Sequence, residues 1–291
     1  MILDVVEKIA DAVLYEGYLL YPYRRSAIKN QQRFNFGVLY PPKFCEGSEP
    51  SGMQTQCLAQ GPPNAFLHVR TRFLQLVEHE GRQEGYKREV QTHFMLGAIV
   101  ASPASRRFDF GEEISGAIDL EAAYLADDLF QITLRISNSA NSDGQERDKA
   151  LLRSLVSVHH ILHLEDGRFI SLLDPPVEFR EAAASCQNQG NWPVLAGEPG
   201  ECNTMLASPI ILYDYPQIAP ESPGDLFDGT EIDEILALRI LTMTEEEKRE
   251  VRQGDERARH ILERTEMLPP EHFQKLHGAV RTLRRSAGDG E

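Results

Sequence analysis

Apolar positions recur every three or four residues at the start of the chain. Ile2, Val5, Val6, Ile9, Ala12 and Val13 line one side of a predicted helix over residues 2–15. Beyond Gly17 the period shortens. In LFQITLRISNSA, Phe130, Ile132, Leu134 and Ile136 alternate with Gln131, Thr133, Arg135 and Ser137. That alternation predicts a strand with one apolar and one wet face. AFLHVRTRFLQLVE, VQTHFMLGAIV and GEEISGAIDLEAAYL read as further strands. RFNFGVLYPP alternates Phe34, Phe36 and Val38 before Pro41 and Pro42 stop it. Residues 43–64, rich in Gly, Pro, Ser and Gln, predict a long loop, and the polar run 138–149 a connection.

The segment ALLRSLVSVHHILHL fits either a helix or a short helix followed by a strand. Asp166 and Gly167 between LHLE and RFISLL predict a hairpin. Residues 176–208 read as loop with a short helix near Val177 to Ala184, and SPIILYDYP as one more strand. QIAPESPGDLFDGT then reads as a linker. After it, Thr230 with Asp233 and Thr244 with Glu247 resemble N-terminal helix caps, and Pro270 suits a first helical turn. Ile232, Ile235, Leu236, Ile240 and Leu241 form an apolar stripe there. The pattern predicts an α+β protein. Its body, residues 1–217, is mainly antiparallel β-sheet, with a sandwich-like arrangement among the fits. Residues 218–291 form an acidic helical region, either separate or packed on that body as one domain.

Charge narrows the partners. Thirty basic residues against 45 acidic ones leave a net charge of −15. Residues 221–267 hold 14 acids and 7 basic residues, close to half of that excess. Such a field disfavours nucleic acid. No apolar run approaches the roughly 20 residues that cross a bilayer, so no membrane insertion is expected. The N-terminus carries acids where a secretory signal carries basic residues. Cys45, Cys57, Cys186 and Cys202 are too sparse for a disulfide framework, and none lies in a CxxC pair. The expected location is cytoplasmic. No GxxxxGK[ST] loop, GxGxxG turn or GxSxG elbow occurs.

Two constellations remain. His159, His160 and His163 fall within five positions, followed by Glu165 and Asp174. A helix places His159 and His163 on one face at i and i+4, and a strand does so by period two. With Glu165 or Asp174 they supply the nitrogen and carboxylate donors that suit zinc or iron. A strand of buried, hydrogen-bonded histidines fits the same residues. The second constellation is YEGYLLYPYRR. Tyr18, Tyr21, Tyr23, Arg24 and Arg25 combine large contact area with directed hydrogen bonds, the residue types of interface anchors.

LYEGYLLYPYR, KNQQRFNFGVLYP, FISLLDPP, GNWPVL and SPIILYDYPQIAPESPGDLFDGTEIDEILALRILTMTEEEK carry a resemblance that spans about residues 12–267. The chain resembles an uncharacterised bacterial family encoded near uptake-type nickel–iron hydrogenase genes. The resemblance implies a hydrogenase accessory role and brings no catalytic residues with it. Hydrogenase large subunits hold nickel through paired CxxC motifs, which this chain lacks. The expected function is a non-enzymatic accessory, assembly or scaffold protein without a cofactor, docking a hydrogenase subunit or a maturation factor. The alternatives are a metal-dependent, hydrolase-like enzyme using His159, His163, Glu165 and Asp174, and a small-ligand-binding module.

Overall fold

Alternating apolar residues build ten strands among the described residues. In the computed structural model, the described residues are 2–15, 36–44, 49–79, 82–111, 113–126, 128–142, 146–217, 245–252, 259 and 262–263. The chain divides into two compact units, Met1–Leu19 with Arg33–Ile218 and Leu20–Gln32 with Ala219–Glu291. In the first unit, helix α1 (Ile2–Tyr15) precedes β1 (Gly52–Gln60), β2 (Phe66–His79) and β3 (Arg82–Met95). Helix α2 (Leu96–Ala101) leads to β4 (Ala104–Phe110), β5 (Ile114–Ala126) and β6 (Leu129–Asn138). Helix α3 (Arg147–Leu151), β7 (Val156–Glu165) and β8 (Arg168–Ile170) follow, then α4 (Arg180–Ser185), β9 (Trp192–Leu195) and β10 (Thr204–Ser208).

These strands form two five-stranded sheets, ordered β4-β5-β6-β1-β8 and β3-β2-β7-β10-β9, with neighbouring strands antiparallel throughout. The fold is mixed α+β and dominated by antiparallel sheet. One apolar cluster draws on both sheets: Met53, Cys57, Phe130, Ile132 and Leu134 from the first, Leu67, Val69, Phe73, Val158 and Leu162 from the second. The β6 alternation holds on its apolar face, where Phe130, Ile132, Leu134 and Ile136 are buried, but the expected wet face is only partly so: Arg135 is exposed, Gln131 and Ser137 are half-buried and Thr133 is buried.

Several elements depart from expectation. Gly52–Gln60, inside the predicted loop, is a strand paired with both β6 and β8. One face is buried and weakly apolar (Met53, Thr55, Cys57, Ala59), and the other carries Gln54, Gln56 and Gln60 around a buried Leu58. LGAIV bends into α2 instead of continuing β3. Between residues 36 and 44, Leu39 makes only a single bridge, to Leu155. SPIILYDYP is not a strand: the nearest strand ends at Ser208, and residues 209–217 are irregular.

The Asp166–Gly167 turn is also no hairpin. β7 pairs with β2 and β10, whereas β8 pairs with β1, so the turn carries the chain between sheets. Asp166 takes a φ of 60°. A Cβ on Gly167 would lie 2.5 Å from Leu164 Cδ2 and 2.8 Å from Gln60 O, so the crossing requires glycine.

The ambiguous stretch resolves as α3 followed by β7, and the short helix near Val177 is present as a 3-10 turn (Val177–Phe179) leading into α4. In the second unit, helix α5 spans Glu245–Arg252, and the predicted Thr230 and Thr244 caps and Pro270 lie outside the described residues. The 232–241 stripe lies outside the described residues. No helix among the described residues is long and apolar enough to cross a membrane.

Candidate functional site

The face of the β3-β2-β7-β10-β9 sheet away from the shared core divides into two ends. Period two puts the even residues of β2 and the odd residues of β3 and β7 on this face. At one end α1 lays Val6, Ile9, Ala10 and Val13 over Ile161, Ala196 and Leu206. The amphipathic spacing of α1 therefore has its partner, and its polar side reaches charges on the same sheet face.

Under and beside α1, Arg70 pairs with Glu7 and lies 3.1 Å from Glu89. Arg72, 1% exposed, meets Glu89 at 2.7 Å and Asp11 at 3.3 Å. Lys87 meets Asp11 at 2.7 Å. Burial pushes the Glu89 carboxyl up, but hydrogen bonds from Gln91, Arg72 and Arg70, with the Arg70 charge, outweigh it and bring it down to about 2. Three cations and three anions balance, which is what a nearly buried guanidinium requires.

His159 belongs to this covered end. It stands opposite Arg72 in the register and is fully buried. Its Nδ1 lies 3.0 Å from Ser157 O, an atom that can only accept, so Nδ1 carries the proton. Burial pulls its pKa down to about 4, against the help of that carbonyl. Ser157 adopts a φ of 56°, and its hydroxyl donates to Val13 O at 3.0 Å, satisfying a carbonyl in the last turn of α1. His160 points into the core, bonded through Nδ1 to Thr71 Oγ1 at 2.9 Å. Burial, with neighbouring His159, drives its pKa down to about 3.

The other end of the face is open. His93, His68, His163 and Thr204 stand side by side across β3, β2, β7 and β10. Ring centres are 6.0 Å apart for His68 and His93, and 6.2 Å for His68 and His163. The next row outward is Met95, Phe66 and Glu165. Phe66 and Met95 are exposed despite being large and apolar. His68 Nε2 is shielded from solvent and makes no hydrogen bond, although Glu165 Oε1 lies 3.1 Å away. His163 is half-buried, and burial, with His68, lowers its pKa while Glu165 opposes the shift.

The expected set of His159, His163, Glu165 and Asp174 does not assemble. His159 and His163 share a face, but four residues of extended strand separate them by about 13 Å. His159 is sealed under α1, and Asp174 lies after β8, where its backbone N–H bonds Ser171 Oγ at 2.9 Å. Among the described residues, no group of three or more His, Cys, Asp or Glu side chains is placed to hold a metal ion. Tyr18, Tyr21, Tyr23, Arg24 and Arg25 lie outside the described residues. Sequence reasoning passed over His68, His93 and Thr204. The signal was a histidine between apolar neighbours, clear in LHV for His68, half-present in THF for His93 and absent in NTM for Thr204, and only register aligns them.

A comparison with protein-family models and one with curated proteins each find no match for this chain. Function is therefore argued from the surface itself. Besides the histidine row, one other feature stands out. Leu173, Val177, Ile211 and Tyr213 are exposed, Tyr213 to 87%. Their two segments are tied together by Asp214, which accepts from Ser171 Oγ at 2.5 Å and from the Leu195 N–H at 2.8 Å.

Proposed function

We propose that this chain is a non-enzymatic accessory or assembly protein that docks another protein, in the cytoplasm. The partner class is a hydrogenase subunit or maturation factor, the class implied by the sequence resemblance. The observation that supports the docking role most strongly is the exposure of four large apolar side chains, Leu173, Val177, Ile211 and Tyr213, on two segments joined through Asp214. Side chains of this kind, held by a buried-side hydrogen-bond clasp, suit interface anchors. We read the two sheets, joined by one apolar cluster, as the layers of a sandwich-like body that presents this surface. Cys57, Cys186 and Cys202 are free thiols, in keeping with a reducing compartment.

The test is direct binding. Purified hydrogenase subunits and maturation factors are titrated by calorimetry with the full chain and with its Ile211→Ser/Tyr213→Ser variant. The expected result is a complex with the native chain that weakens about thirtyfold in the variant, as for loss of a hot spot of about 2 kcal/mol. The melting temperature should hold, since both side chains are exposed. Equal binding by the variant, or none by the native chain, contradicts the reading.

A further inference from the structure

We propose that His68 and His163 form a two-imidazole site for a divalent transition-metal ion of borderline softness, with zinc as the representative. Facing positions on antiparallel strands bring the two Cβ atoms to about 5 Å, and the ring centres stand 6.2 Å apart. An ion bound at about 2.1 Å lies about 3.2 Å from the centre of each imidazole. A tetrahedral ion shared by both therefore sets the ring centres about 5.2 Å apart, about 1 Å closer than they stand, and rotation of the two side chains closes that gap.

The hydrogen bonds around His163 prepare it as a ligand. Asn203 Oδ1 can only accept, so the Thr204 hydroxyl spends its one proton there, at 3.1 Å. Thr204 Oγ1 must then accept from His163 Nδ1–H at 2.9 Å. The tautomer is thereby set, and the Nε2 lone pair is left for a ligand. This is the arrangement in which a metal-bound histidine donates its second ring nitrogen outward to a positioning group.

His68 contributes the second nitrogen. Its Nε2 is shielded from water and unbonded, with Glu165 Oε1 at 3.1 Å. Glu165 adds a negative charge beside the ion, and Phe66 in its row makes the setting less aqueous. Imidazole donors select zinc, nickel or copper over magnesium or calcium. With two protein nitrogens the remaining positions belong to water, so the ion is exchangeable, as suits a site that passes metal on.

Calorimetric titration of zinc chloride into the full, tag-free chain tests this, with magnesium chloride as control. Uptake of one zinc and no magnesium is expected. His68→Gln and His163→Gln should each weaken zinc binding at least tenfold, and Thr204→Val, which removes only the positioning group, about tenfold. His93→Gln should change it far less. Absence of zinc uptake, or uptake undiminished in the His68→Gln/His163→Gln variant, overturns the proposal. Should a variant misfold, the native chain still decides. Zinc must move the ring-nitrogen resonances of both His68 and His163 in a long-range proton–nitrogen spectrum, and unmoved resonances overturn it equally.

Discussion

The two ends of one sheet face carry the same residue types and put them to opposite uses. Under α1, Arg72 and His159 are buried and Glu89 half-buried, with the charges balanced and Nδ1 of His159 hydrogen-bonded. Two rows away, His68, His93, His163 and Glu165 stand among exposed Phe66 and Met95. Both sets lie on the same strands and follow the same alternation. What separates them is cover: α1 seals one end, where the charges pair within the fold and His159 Nε2, although it has no hydrogen-bond partner, is shut away with the fully buried ring. At the open end the unbonded Nε2 of His68 belongs to a part-exposed side chain beside Glu165.

The comparison breaks most visibly at Arg72. Replacing it with alanine strips Glu89 and Asp11 of a nearly buried partner, and loss of one member of such a cluster costs about 3–5 kcal/mol. Urea denaturation should show that loss. A drop below about 1 kcal/mol would mean the covered cluster is not structural.

Acid attacks the same end by another route. His159 and His160 are held neutral, with pKa values lowered to about 4 and about 3. The unfolded chain takes up their protons first as pH falls below about 6.5. Stability is therefore full above that pH and drains away as pH falls toward the folded values, by on the order of 2 kcal/mol per ring at pH 5. Arg72 and Lys87 face His159 and add to this loss, while Asp11 opposes it. Glu89 joins only below about pH 4.5, because its folded pKa is depressed to about 2. Denaturation midpoints measured from pH 8 to pH 5 should fall steadily below pH 6.5, and a flat profile would contradict the burial of both rings.

The division between the two ends was only half legible in the sequence. The α1 stripe announced itself through Val6, Ile9 and Val13, and β6 through strict alternation. The histidine cluster at 159–163 was visible too, but linear proximity misled. An extended strand spreads His159 from His163 and alternates His160 to the other face, while it draws His163 to His68, 95 positions away. Register across strands is a tertiary property that no local pattern encodes. The Asp166–Gly167 signal failed for a related reason: a tight turn was present, but β8 found β1 as its partner. Strand β1 was hidden because its buried Thr55, Cys57 and Ala59 are weakly apolar, and its Gln54 and Gln56 bond the 187–189 segment rather than water.

Smaller perturbations sharpen the contrast. Ile9→Val trims one methylene from the α1 contact and should cost about 1 kcal/mol by thermal or urea melts. At the open end, His68→Gln should shift stability by less than about 0.5 kcal/mol, since no hydrogen bond holds its Nε2. A cost above about 2 kcal/mol would move His68 to the structural side of the division.

The central claim, that cover by α1 decides which imidazoles are structural and which are available, is tested most directly by the ring-nitrogen spectrum of the native chain at pH 7 and pH 5, with and without zinc. The account predicts that His159 and His160 stay neutral at both pH values and ignore zinc, while zinc shifts His68 and His163 through Nε2. Zinc-induced shifts at His159, or protonation of His159 and His160 already complete at pH 5 in the folded chain, would contradict it.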